Sequence, residues 1–295
     1  MNGKERGFLL LTSTLGDPER KPLTVAQFRT LAQRAAEMER PLTNREMHAD
    51  DLMVLGYDRQ SADRIIDLLS QKELLDRYLT RGRKMDCYPV TRLSEHYPAA
   101  LRKRLGLDAP GCLWTKGDTS FLKEPAVALV GSRDLREENL AFAREVGRQA
   151  ALQGITLISG NARGADREAQ VSALEHGGKV ISVVADALEK QPLTRNVLYL
   201  SMEGFDLPFS SLRALSRNRV IHAMPSLTFV AQCSLRKGGT WSGTADNLRH
   251  GYSPVFCFDD GSPAVNELTQ MGAETIVASK LNDLSILCEK QQKLF

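Results

Sequence analysis

Ala126-Val-Ala-Leu-Val-Gly-Ser-Arg133 and Ile155-Thr-Leu-Ile-Ser-Gly-Asn-Ala-Arg-Gly-Ala-Asp166 decide the fold. Each opens as a short apolar run that reads as a strand buried on both faces. Each then breaks into a glycine-containing turn that carries an arginine and leads into a helical pattern. In a parallel α/β sheet both turns lie at the carboxyl edge of neighbouring strands, where such folds bind ligands. Arginines and free backbone N–H groups sharing one rim are expected to hold phosphate.

Outward from these turns, strands are expected at Ala126–Val130, Ile155–Ile158, Lys179–Val184, Leu227–Ala231, Pro254–Phe258 and Thr275–Val277. Helical patterns fall near Arg136–Leu152, Ala165–His176, Arg213–Ala223, Ser242–His250 and Ser262–Met271. Apolar strands alternating with helices predict a doubly wound, mostly parallel α/β sheet over 126–295. Residues 81–125, punctuated by Tyr88-Pro89, Tyr97-Pro98, Ala109-Pro110 and Glu124-Pro125, read as a connector packing on that sheet. Cys112-Leu-Trp-Thr-Lys-Gly-Asp118 within it reads as a short strand and turn. Residues 1–80 read as a small all-helical domain. Thr24 is an expected N-cap there, Thr43 or Asn44 caps a second helix, and Ala62, Ile65, Ile66 and Leu69 share one face of a later one.

Composition sets bounds. Hydrophobic residues make up 42% and charged residues 25% of 295, ordinary for a globular chain, and a formal net charge of +3 names no partner. Its distribution says more. From Leu207 to Ala245 there is no Asp or Glu, yet Arg213, Arg217, Arg219, Arg236 and Lys237 fall there. Arg77 to Arg104 is a second basic stretch, readable as a polyanion patch or as solvated surface. The five cysteines form no CxxC pair or Cys/His metal spacing, so reduced thiols, no metal and a cytoplasmic protein are expected. Phe8-Leu-Leu-Leu11 is too short for a signal peptide core. No stretch approaches the roughly 20 apolar residues of a membrane span.

The candidate site is built from four motifs. Gly131-Ser132-Arg133 offers a close backbone approach, a hydroxyl and a planar guanidinium fork. In Ser159-Gly160-Asn-Ala-Arg163-Gly164-Ala-Asp166, glycines flank an arginine at a helix start, and Asp166 is expected either to cap the helix or to orient Arg163. In Arg217-Asn218-Arg219 the two arginines diverge by about 200° on a helix, so one faces the site while the other pairs within the fold. Gly238-Gly-Thr-Trp-Ser242-Gly243-Thr244-Ala-Asp246 is expected to give a further backbone cradle, with Trp241 either stacking a base or filling the core. His222 reads as filler. No G-x-G-x-x-G, Walker A, HExxH or GxSxG motif is present, so no dinucleotide, ATP or other cofactor and no catalytic residue is named.

Val130-Gly-Ser-Arg133, the Ser159–Asp166 motif, Ser216-Arg-Asn-Arg219, Ser242-Gly-Thr-Ala245 and Met271-Gly-Ala273 resemble, in this order, motifs of the DNA-processing protein A (DprA, or Smf) family. The connector from Tyr88 to Asp118 is similar to the segment leading into that family's extended Rossmann domain, and the helical N-terminus to its small SAM-like domain. The resemblance implies a Rossmann-like fold and a non-catalytic protein that binds single-stranded DNA in a basic pocket, forms a homodimer and helps to load a RecA-type recombinase. It implies that Arg133 contacts phosphate or base, that Ser159, Gly160, Arg163 and Gly164 wall the pocket, and that Arg217 and Arg219 support the strand. Gln170 stands where the family usually has His, and Asn161 where it has an apolar residue. The stretch between Val184 and Arg217 is shorter than the family linker, and a winged-helix domain is expected to be missing after Phe295. The alternative is a small-nucleotide sensor or phosphoribohydrolase-like enzyme, with Asp246 near that group's acidic position. A third reading is a regulatory partner docking through the helical N-terminus.

Overall fold

The computed structural model describes residues 1–37, 47–285 and 287. Thr43, Asn44 and Cys288, on which expectations were placed, lie outside the described residues. Helices α1 (Gly3–Thr12), α2 (Val25–Ala36), α3 (Ala49–Val54), α4 (Arg59–Ser70) and α5 (Lys72–Lys84) come first. Then follow β1 (Tyr88–Thr91), α6 (Ala99–Leu105), β2 (Cys112–Lys116), β3 (Ala126–Val130), α7 (Glu137–Leu152), β4 (Thr156–Ser159), α8 (Ala165–Glu175), β5 (Val180–Val183) and β6 (Val197–Met202). The chain continues through α9 (Ser211–Ala223), β7 (Leu227–Val230), α10 (Gly238–His250), β8 (Val255–Phe258), α11 (Pro263–Gln270) and β9 (Glu274–Ile276).

The strands form one sheet in the order β1-β2-β6-β5-β4-β3-β7-β8-β9. From β6 to β9 every pairing is parallel, whereas β1–β2 and β2–β6 are antiparallel. The fold is therefore α/β and Rossmann-like, as the alternating pattern implied. Side chains of β3 alternate between layers. Val127 and Leu129 join a core with Phe142, Val146, Ala165 and Ala169 of α7 and α8, and Ala128 and Val130 join another with Ile221, Trp241 and Leu268 of α9, α10 and α11. Strand order reverses around β3, with β4 on one side and β7 on the other. That reversal opens a crevice beyond the carboxyl ends of β3 and β7, the place where open α/β sheets take ligands.

Two features differ from the expectation. The proline-punctuated connector does more than lie against the sheet, since β1 and β2 hydrogen-bond into it as antiparallel strands. β6 was not anticipated. Its run Val-Leu-Tyr-Leu-Ser-Met starts after Asn196, which sits at φ 63°, and the parallel crossover from β5 carries only a 3-10 turn at Leu188–Lys190, so it gives no helix-alternation signal. At the same edge, Leu9 and Leu10 of α1 and Leu75, Tyr78 and Leu79 of α5 pack into the core that holds Trp114 and Phe205. Tyr78 Oη donates to Asp206 Oδ1 at 2.8 Å, and Arg81 pairs with Asp206 Oδ2 at 3.1 Å.

α7 and α8 cross closely at Gly147, where a Cβ would sit well under 3.0 Å from the carbonyl oxygen of Ala169. Alanine would raise helix propensity there by about 1 kcal/mol, but the obstacle is backbone that cannot swing away, and overpacking of this kind costs about 1–3 kcal/mol. Gly147→Ala is expected to lower the thermal midpoint by several degrees. A midpoint at or above the parent's would contradict the packing described.

Candidate nucleic-acid interface

Two adjoining cavities occupy the crevice. One of about 440 Å³ is lined by Gly131, Ser132, Arg133, Asp166, Arg217, Lys237 and the Gly238–Thr240 turn. The other, about 550 Å³, is lined by Arg133, Gly160, Arg163, Asp186, Phe209 and Arg217. Arg133, Ala162, Phe209, Ala214 and Arg217 border both. The structure thus brings Arg133, Arg163 and Arg217, from three separate elements, onto a shared rim.

Each side chain reaches it differently. Gly131 directly follows β3, and its carbonyl accepts from Thr240 Oγ1 at 2.9 Å, tying the turn after β3 to the start of α10. Ser132 N and Oγ both donate to the Gln232 carbonyl, at 2.9 and 3.2 Å, which fixes that turn against the end of β7. Arg133 is exposed and makes no hydrogen bond or ion pair with a described residue. Arg163 is 74% exposed and holds Asp134 at 2.7 Å, an ion pair that solvent weakens. Gly164, at φ +87°, starts α8 where a Cβ would strike the carbonyls of Ser132 and Arg133. Ser159 is buried and accepts from Gln170 Nε2 at 2.6 Å, so Gln170 braces the end of β4 from inside.

Arg217 and Asp166 organise the floor. Arg217 Nη1 donates to the carbonyls of Gly160 and Val183, stapling α9 across the ends of β4 and β5. Asp166 Oδ2 accepts from Gly160 N at 3.1 Å and Ala162 N at 3.2 Å. Burial pushes the Asp166 carboxyl up to about 6, against the pull of Arg217, the two amides and Arg133. Burial likewise pulls Arg217 below the usual guanidinium range, and Asp166 opposes that. Arg217 Nε is enclosed with no hydrogen-bond partner among the described residues.

These contacts change the expected assignment of the phosphate cradle. The Gly160 and Ala162 amides are already taken by Asp166, so the Ser159–Asp166 turn offers a charged wall with two of its amides occupied. The open donors are at α10, which begins at Gly238 rather than Ser242 and whose N-cap residue, Lys237, supplies no capping side-chain bond. Ser242 Oγ donates back to Gly238 O at 3.0 Å, while Gly243 and Thr244 are buried inside the helix. Ser242, Gly243 and Thr244 are therefore not cavity-lining, and Gly238, Gly239 and Thr240 take their place. Asn218 supports that turn, donating from Nδ2 to Gly239 O at 3.0 Å.

Arg219 is not brought to the cavities. It pairs with Asp246 at 3.1 Å and lines a separate groove beside Asp108. Asp246, the carboxylate of the alternative enzyme reading, borders neither cavity. Trp241 is core. His222 is buried and accepts from Asn247 Nδ2 at 3.1 Å, and burial lowers its imidazole to about 4, so it is neutral near pH 7. Arg213 donates to the carbonyls of Ala185, Leu207 and Pro208, which removes another expected surface cation. In the Arg77–Arg104 stretch, Arg92 and Arg104 are likewise spent on backbone carbonyls, and Arg81 on Asp206 and Glu189. Phe209 went unnoticed in the sequence. It is 55% exposed where the two cavities meet, and only its exposure sets it apart from a core phenylalanine.

Residues 89–286 match the model of the DNA recombination-mediator protein A family. The chain belongs to that family. It is 29% identical over 208 residues to the DNA processing protein DprA of Streptococcus pneumoniae, covering 66% of this chain and 70% of the relative. The X-ray structure of DNA processing protein A from the same species superimposes with a TM-score of 0.72 at 22% identity, over 95% of this chain and 97% of that one. DNA processing protein A of Helicobacter pylori, whose structure addresses its single-stranded DNA binding mode, gives a TM-score of 0.55 at 22% identity, over 71% of this chain and 97% of that one. At these identities the structural likeness establishes the fold.

Two outcomes test the floor. Arg217→Ala removes the nearby charge that most favours the ionised Asp166 carboxylate and leaves the Gly160 and Val183 carbonyls without their donor, so a loss of about 1–3 kcal/mol is expected. Asp166→Asn in the same background is expected to recover part of that loss in a denaturant-melt cycle, and a strictly additive double variant would contradict the coupling. The Asp166 carboxyl holds its proton more tightly folded, at about 6, than at its ordinary 3.8. Its share of stability is therefore full at low pH and falls by roughly 3 kcal/mol as pH rises from about 4 through about 6. Asp166→Asn is expected to lack that slope, so the difference between parent and variant stability should change across this window and be flat above it.

Proposed function

We propose that this chain binds single-stranded DNA across the crevice and acts in DNA processing or recombination. The observation that carries the reading is the convergence of Arg133, Arg163, Arg217, Lys237 and the uncapped start of α10 on one rim at the point where strand order reverses. A backbone phosphate seats against Arg133, Lys237 and the amides of Gly239 and Thr240, a charge-assisted set at a helix N-terminus. Arg217 acts mainly by holding the floor in shape, and Arg163 exchanges Asp134 for phosphate. Phe209 offers its ring to a base, and stacking of this kind tolerates any base. Ser132, Ser159, Gly160, Gly164, Asp166 and Asn218 set the geometry of the walls.

A duplex has its bases already stacked and gives Phe209 nothing to receive, which favours a single strand. Family membership and the likeness to relatives that handle DNA support the same reading. Among the described residues no helix is long and apolar enough to cross a membrane. A cytoplasmic location, a homodimer and cooperation with a RecA-type recombinase complete the proposal.

Fluorescence anisotropy with labelled oligo-dT across a salt series tests it. Each neutralised phosphate contributes a slope of about −0.7 in log K against log salt for a single strand. Arg133→Ala is expected to weaken binding about tenfold and to flatten the slope by about 0.7. Phe209→Ala is expected to weaken binding by about fivefold or more with the slope unchanged. Salt-independent binding, or Arg133→Ala equal to the parent, would overturn the proposal.

A further inference from the structure

Asp186 is out of place in a cavity built for phosphate. It follows β5 and lines the 550 Å³ cavity together with Arg133, Arg163, Arg217 and Phe209. It is half-buried. Its Oδ1 accepts from the Ala187 amide at 2.8 Å, which fixes the carboxylate on its own turn. Oδ2 makes no hydrogen bond or ion pair with a described residue. The charge of nearby Arg213 reaches Asp186, but its N–H donors go to the carbonyls of Ala185, Leu207 and Pro208 and to Ser201 Oγ, so it gives the carboxylate no hydrogen bond.

A carboxylate repels phosphate and offers acceptors only. In a phosphate-binding cavity it is tolerable when something brings it a donor. On a DNA strand without a 2′-hydroxyl, the donors are the exocyclic amino groups and imino N–H groups of bases. Cytosine presents its N4 amino group to carboxylates, whereas thymine carries at that position the O4 acceptor, which a carboxylate repels, and offers only its N3–H beside it. Phe209 on the same cavity supplies the ring on which a splayed base would lie.

We infer that the cavity between Phe209 and Asp186 is a base pocket, and that Asp186 makes it prefer amino-bearing bases such as cytosine over thymine. This rests on the single-stranded DNA reading above and adds a base preference to it. Asp186 is a specificity-determining residue here, and phosphate contacts at Arg133 and α10 supply affinity common to all sequences.

The test compares oligo-dC, oligo-dT and oligo-rU of equal length at pH 7.5, with the parent chain and Asp186→Asn. The parent is expected to bind oligo-dC about fivefold or more tightly than oligo-dT, with oligo-rU close to oligo-dT. Asp186→Asn keeps an acceptor for the Ala187 amide, so its melting temperature should match the parent's. It removes a negative charge and turns an amide donor toward the base. It is therefore expected to bind oligo-dT more tightly than the parent does and to lose the preference for oligo-dC. Equal parent affinity for oligo-dC and oligo-dT overturns the base pocket while leaving the DNA reading standing. Tighter oligo-rU than oligo-dT with no cytosine preference overturns it in favour of a sugar-hydroxyl contact. Absence of binding to every strand is instead the failure of the DNA reading itself.

Discussion

The double hold on Gly160, by Arg217 on its carbonyl and buried Asp166 on its amide, is the constraint on which the rim depends. Arg217 reaches from α9 to the carbonyls of Gly160 and Val183, and Asp166 reaches from α8 to the amides of Gly160 and Ala162. Gly160 is gripped from both sides, and a Cβ there would collide with the guanidinium. Two helices and two strand ends are locked by groups that would be costly to bury singly. With the floor rigid, Arg133 stands free above it. The molecule thus separates two tasks that arginine can perform: shaping a cavity and presenting charge to a ligand.

That separation explains why a segment without acidic residues is less basic in effect than its composition suggests. Of the cations between Leu207 and Ala245, Arg213 and Arg217 bond backbone carbonyls, Arg219 faces Asp246, and Arg236 faces Glu267 at 2.8 Å. Lys237 borders the cavity beside the open start of α10, whereas Arg217 is bonded into the floor. Electrostatic attraction is therefore focused at the reversal point between β3 and β7 rather than spread as a stripe.

Much of the fold was legible because buried parallel strands are continuous apolar runs and helices are periodic. β3, β4, β5, β7 and β8 all announce themselves in that way. β6 did not, because no α-helix separates it from β5 in the chain. At the site, Gly131, Arg133, Arg163 and Arg217 were readable because glycine beside arginine after a strand is an uncommon combination with a stated use. The start of α10 was misplaced because Gly238 and Gly239 look like loop residues, and helix propensity alone would exclude them. Phe209 and Asp186 were invisible, since an exposed ring and an unpaired carboxylate are defined only by their three-dimensional surroundings. Arg219 and Trp241 show the converse: a suggestive residue type turned by helical phase toward an internal partner.

The most direct measurement is a crystal structure of the protein with a short oligo-dT. The account expects a phosphate within hydrogen-bond distance of Arg133 and of the Gly239 and Thr240 amides, with Arg217 unmoved on Gly160 and Val183. A strand lying instead in the groove beside Asp108 and Arg219, with the crevice between β3 and β7 empty, would contradict it.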